Sequence, residues 1–131
     1  MSKPVLNSGF GKIADIRFQE QGKIDIDKRS QYYLLYCLEP LAYLHKRKVI
    51  RVSNLKVYSS PSGKGWHVRY SVLTPFNVSI LNLIGGDDIW RATYNLECKT
   101  DTLFSYKEKN GVVGVEKFNS KLTKRARGMF K

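Results

Sequence analysis

Val57-Tyr58 closes a β-rich run, Ser59-Ser60-Pro61-Ser62-Gly63-Lys64-Gly65 follows, and Trp66 to Val72 then alternates apolar with polar side chains. The proline and glycines suit a tight reversal, and the period of two behind them predicts a strand. A hairpin here constrains the rest of the chain. If Trp66, Val68, Tyr70 and Val72 share one face, then His67, Arg69 and Ser71 share the other, beside a turn that carries Lys64. Imidazole, guanidinium and ammonium side by side make a donor set that suits a phosphate.

The other elements follow in order. Residues 1–12 read as an irregular lead-in, and Ile13 to Phe18 as a short strand turned at Gln21-Gly22. Lys23-Ile24-Asp25-Ile26-Asp27 alternates strictly, which predicts a strand with the isoleucines inward and both aspartates on the opposite face. Leu34, Leu38, Leu41 and Leu44 recur at helical spacing over residues 29–47, with Asp27 or Ser30 as cap and Lys46-Arg47-Lys48 at the negative end of the dipole. Pro40 is expected to kink or split that helix. Tyr32, Tyr33, Tyr36 and Tyr43 read as its core edge, and His45 as a solvated cap. Val49 to Tyr58 is the strand entering the hairpin. Thr74-Pro75 predicts a helix start and Gly85-Gly86 its end; Asp87-Asp88 cap a further segment, Ile89 to Leu96. Thr102 to Tyr106 and Val112 to Phe118 pair around Asn110-Gly111. This order predicts an α+β, ferredoxin-like or RNA-recognition-motif-like split βαβ sandwich, one antiparallel sheet with helices on one face. Asp25, Asp27, His67 and Arg69 then occupy the open face.

The charge points to a partner. In 131 residues there are 23 Lys and Arg against 11 acids, a formal charge of +12, and such an excess predicts a polyanion. Residues 1–118 read as one domain and 119–131 as a mobile basic tail, whose Lys121, Lys124, Arg125 and Arg127 settle on nucleic-acid phosphates. No apolar run approaches the roughly 18 residues of a membrane span, and Met1 to Val5 lack a secretion signal's apolar segment. Cys37 and Cys98 are too far apart for a metal knuckle. The expectation is a cytoplasmic protein with reduced thiols. A Walker loop is excluded because Ser62-Gly63-Lys64-Gly65 lacks its spacing and leads into a strand. Trp66-His67-Val68 offers one histidine where a rolling-circle nickase wants two.

Asp25-Ile26-Asp27 followed by the Gly65-Trp66-His67 hairpin resembles the palm of archaeo-eukaryotic-type primases. The resemblance spans roughly residues 23–110 and includes Gly86-Asp87-Asp88-Ile89-Trp90-Arg91 and Leu103-Phe104. It implies that Asp25 and Asp27 bind Mg²⁺ or Mn²⁺ and that His67 contacts an incoming nucleotide's phosphates, with Ser62, Lys64, Arg69 and Arg91 around them. The chain departs from the family at the third metal acid, where Tyr94-Asn95 stands; Glu97, Asp87 or Asp88 is then the substitute ligand.

Three functions follow as expectations. The first is a DNA-binding protein on a primase-like palm, serving viral, plasmid or archaeal replication with reduced or no catalysis. In it Trp66 stacks on a base if exposed, although alternation equally lets it face the core. The second is an active nucleotidyltransferase with Asp25, Asp27 and Glu97 or Asp87 on the ion. The third is a virion protein that packages genome on its basic face.

Overall fold

A computed structural model describes residues 17–98 and 103–131. The lead-in, residues 13–16 of the expected first strand, and Thr102 of the expected later strand lie outside them. The elements are β1 (Phe18–Ile26), α1 (Gln31–Lys46), β2 (Arg51–Ser59), β3 (Trp66–Thr74), α2 (Val78–Ile84), α3 (Ile89–Cys98), β4 (Tyr106–Lys109), β5 (Val112–Val115), β6 (Lys117–Phe118) and α4 (Ser120–Gly128). Four strands form an antiparallel sheet in the order β1-β3-β2-β6, and β4 pairs with β5 as a separate hairpin. With its four helices the chain is α+β, compatible with a ferredoxin-like split βαβ fold.

One core lies between the sheet and its helices. Ile24 and Ile26 of β1, Val68 and Tyr70 of β3, and Val57 of β2 meet Leu34, Leu38 and Leu41 of α1, Leu81 of α2 and Leu122 of α4. The isoleucines of β1, Val68 and Tyr70, the leucines of α1 and Leu81 are inward positions that the alternation and the helical spacing predict; Leu122 is not. Ser30 caps α1 by accepting from Tyr33 N. Pro40 neither splits nor ends it: the helix runs 16 residues, anchored by buried Leu34, Leu38 and Leu41 on both sides of the proline.

Several expectations are corrected. Gln21-Gly22 is no turn but the middle of β1, where Gly22 faces Tyr70; a Cβ at Gly22 would strike the phenol ring, so the glycine makes room rather than a bend. Thr74 ends β3, as the residue before a proline favours extended backbone, and Asn77 caps α2 by accepting from Ser79 N at 2.8 Å. His45 is not a solvated cap: its Nδ1 accepts from Val52 N at 3.0 Å and its ring meets Phe130 edge-on.

The basic tail is likewise corrected: it is a folded helix. Asn119 caps α4, and Leu122 and Ala126, one helical turn apart, enter the core. Asn119 N donates to Val57 O, Val57 N donates to Thr123 Oγ1, and Arg127 Nε donates to Leu55 O at 2.7 Å. These contacts satisfy β2 beyond the two residues that β6 covers, and Leu55 lies where the β2–β3 register shifts between Ser53 and Lys56. Arg127 is therefore a structural anchor. Arg125 bonds Gln31, while Lys121 and Lys124 stay exposed.

The other sheet edge is sealed too. Lys23 N donates to Asn82 Oδ1, and Asp25 N donates to Asp87 Oδ1. Lys23 O accepts from Arg91 Nη1, and Asp25 O accepts from Asp88 N. Four outward backbone groups of β1 thus find partners in the segment from α2 to α3. That segment carries two aspartates to the edge of the site.

Candidate functional site

Asp25 lies opposite His67 in the β1–β3 register, so both side chains leave the same sheet face, and Asp27 follows two residues on. His67 Nε2 stands 3.5 Å from Asp25 Oδ1. The aspartate pair and the hairpin histidine therefore do converge. Asp88 joins them: carboxylate oxygens of Asp25, Asp27 and Asp88 all lie within 4.8 Å of one another. Asp88 also caps α3, accepting from Trp90 N at 2.8 Å. The sequence pointed to helix capping for this residue, and capping is what holds it beside the other two. Glu97 is exposed and takes no part in the cluster.

The cluster has the chemistry of a hard-cation site, with oxygen donors only. Burial, then the charge of Asp25, then a hydrogen bond from Asp88 push the Asp27 carboxyl above the ordinary carboxylate range. A bound divalent cation would offset that crowding. Asp87, buried beneath, is pushed up to about 6 by burial, although Arg91 and the Asp25 amide oppose the shift. Its Oδ2 lies 2.6 Å from Arg91 Nη1. Arg91 thus has one nitrogen committed to Asp87 and the Lys23 carbonyl while its side chain also lines the cleft.

The sheet face is not open. Glu116, in the link between β5 and β6, lies over β3; its Oε1 is 2.6 Å from His67 Nδ1 and 2.6 Å from Arg69 Nη2. Arg69 also donates to Leu103 O at 3.0 Å. The expectation that Arg69 grips phosphate is corrected: its fork is closed on Glu116, a bidentate pairing that arginine geometry favours. His67 is 5 % exposed. Burial disfavours its charged form, but hydrogen bonds to Asp25 and Glu116 outweigh this and raise its pKa above the ordinary value. No sequence pattern singled out Glu116; an acid isolated among cations near the chain's end was the available signal.

Trp66 is corrected as well. It is 2 % exposed, its Nε1 donates to Arg29 O, and the Arg29 guanidinium stacks on its ring at 3.9 Å. It belongs to the core face, as the alternation allowed, and cannot stack on a base.

What remains open is a cleft of about 730 Å³ lined by Asp25, Asp27 and His67. Ser62 and Lys64 rim it from the hairpin turn, where Ser62 Oγ accepts from Lys64 N at 3.3 Å. Gly65 packs so closely on the Ile26 carbonyl that a Cβ there has no room, which pins the turn against the strand bearing the aspartates. Tyr94, Phe104 and Tyr106, all exposed, form an aromatic wall. Asn95 also lines the cleft: it is 3 % exposed, and its Nδ2 has no hydrogen-bond partner among the described residues. A buried donor left unpaired costs about 1–3 kcal/mol, and an acceptor on a bound molecule would satisfy it. Among the described residues, no helix is long and apolar enough to cross a membrane.

No family model, curated protein or solved structure matches this chain.

Proposed function

We propose that this chain is a nucleic-acid-binding protein, with DNA as its partner, built on a primase-like palm. In this reading Asp25, Asp27 and Asp88 hold one Mg²⁺ or Mn²⁺ ion that binds a phosphate in the cleft. The observation that carries it is the meeting of three carboxylates within 4.8 Å, two of which, Asp25 and Asp27, line the same cleft as the Asn95 side chain. A bound ion would supply Lewis-acid polarisation of a phosphate oxygen. Lys64 and Ser62 add donors at the rim, and the aromatic wall offers π-faces for a base or sugar. Catalysis is reduced or absent, because the cluster suffices for one ion and the third family acid is Asn95. Replication of a virus, plasmid or archaeal host is the setting that the resemblance suggests.

A second reading, an active nucleotidyltransferase, gains from Asp88, which supplies the third carboxylate that the sequence left in doubt. One experiment addresses both. Mn²⁺ is titrated calorimetrically into wild type and Asp25→Asn, and both are incubated with template and labelled nucleotide. Binding lost in Asp25→Asn without incorporation by either protein supports the first reading. Incorporation abolished by the substitution supports the second, and absence of Mn²⁺ binding to wild type sinks both.

A further inference from the structure

A second concave surface lies at the opposite pole of the sheet, where α1 ends and β2 begins. Its volume is about 410 Å³, and Lys46, Lys48, Arg51 and Lys131 line it together with Arg17 and His45. No acidic side chain lines it among the described residues. Four exposed ammonium and guanidinium groups drawn from three segments thus surround one hollow.

Two details indicate a built site rather than a scatter of surface charge. Lys48 follows the C-cap of α1 with φ of 61°, the left-handed conformation that helix ends reserve for glycine. A lysine there carries backbone strain that a glycine would not, and observed strain is a pointer to function. His45, meanwhile, is fixed: Val52 N donates to Nδ1 and Phe130 packs on the ring. In the neutral imidazole the proton then sits on Nε2, which makes this nitrogen a donor.

We propose that this notch binds backbone phosphates of a nucleic acid, as a contact separate from the acidic cleft. The inference rests on the nucleic-acid reading above but not on its metal. The nine residues of β2 separate the two sites by about 26 Å at roughly 3.3 Å per residue. On a duplex at about 3.4 Å per base pair this is about 8 base pairs. A short duplex can therefore occupy one site, and a longer one both.

The test is anisotropy of labelled 6- and 20-base-pair duplexes in EDTA, across a salt series, with wild type and Lys46→Ala/Lys48→Gly. EDTA makes the assay blind to the cation cluster, so failure of metal binding and failure of the notch are separate results. Lys48→Gly relieves backbone strain, so thermal stability should hold or rise while binding falls. The expected result is at least tenfold weaker binding of the 20-mer and a log–log salt slope smaller by about 2. A charge-matched Lys109→Ala/Lys117→Ala variant, at exposed lysines that line neither cleft, should change affinity less than threefold. If the notch variant behaves as that control does, the proposal is overturned. If it loses binding of inorganic tripolyphosphate yet keeps wild-type affinity for the 20-mer, the notch takes a free polyphosphate and the backbone assignment is overturned.

Discussion

His67 and Glu116 are joined through Nδ1 and Oε1 at 2.6 Å, across 49 positions of sequence. The same oxygen holds Arg69, and Glu116 is 7 % exposed at its side chain. One carboxylate thus fixes the imidazole that faces Asp25 and the guanidinium beside it. Glu116→Ala should cost about 3 kcal/mol, the low end for breaking a buried pair, because Arg69 keeps 26 % of its side chain in solvent. Urea denaturation monitored by tryptophan fluorescence measures this. A loss below about 0.5 kcal/mol would reduce the contact to a surface pair.

Asn95 offers a more discriminating substitution. Asn95→Leu removes the unpaired buried amide while keeping the branching and the number of side-chain heavy atoms. The free protein should melt at the same temperature or higher, while phosphate ligands bind more weakly. A variant less stable than wild type with unchanged ligand affinity would show that Asn95 serves only packing.

Gly22→Ala should destabilise by about 1–3 kcal/mol through overpacking. The new methyl meets the Tyr70 ring, whose hydroxyl donates to Asn82 Oδ1 at 2.6 Å inside the core. Equilibrium unfolding reads the loss. Combining the change with Tyr70→Leu should recover part of it, since the obstructing ring is gone.

Removal of residues 119–131 should unfold the domain rather than merely remove positive charge. Leu122→Ala isolates the cause: Leu122 is 1 % exposed in the core, and truncation of such a leucine costs about 2–5 kcal/mol. Circular dichroism of the shortened chain and denaturation of the point variant are the measurements.

The two thiols should differ in reactivity. Cys98 is exposed, whereas Cys37 is buried in α1 and burial pushes its thiol above the usual range. Since the thiolate is the nucleophile, iodoacetamide near neutral pH should label Cys98 first, with Cys37 following only on unfolding. Peptide mass spectrometry reads the order.

The local patterns were legible because each is short in sequence. Asp25, Asp27 and His67 could be placed from strand alternation and one hairpin, and α1 from its leucine spacing. Contacts between distant segments were not. Glu116 and Leu103 cover the sheet face from far down the chain, so a face that alternation left bare is occupied. Charge also obscured packing: six cations after Glu116 suggested a mobile tail, while Leu122 and Ala126, four residues apart, carried the docking stripe. Glycine was ambiguous for a similar reason, because clearance for an aromatic ring and freedom to turn demand the same residue. Asp88 could be recognised as a cap, but only the hydrogen bond from its amide to Asp25 O brings that cap to the acids.

That last hydrogen bond ties two hazards together. The atoms that close the rim of β1 against another chain are the ones that hold Asp88 level with Asp25. An injury to the 82–91 segment would therefore release a sticky ribbon and scatter the three carboxylates at once. Variants of this segment that part Asp88 from Asp25 should be the ones that also precipitate.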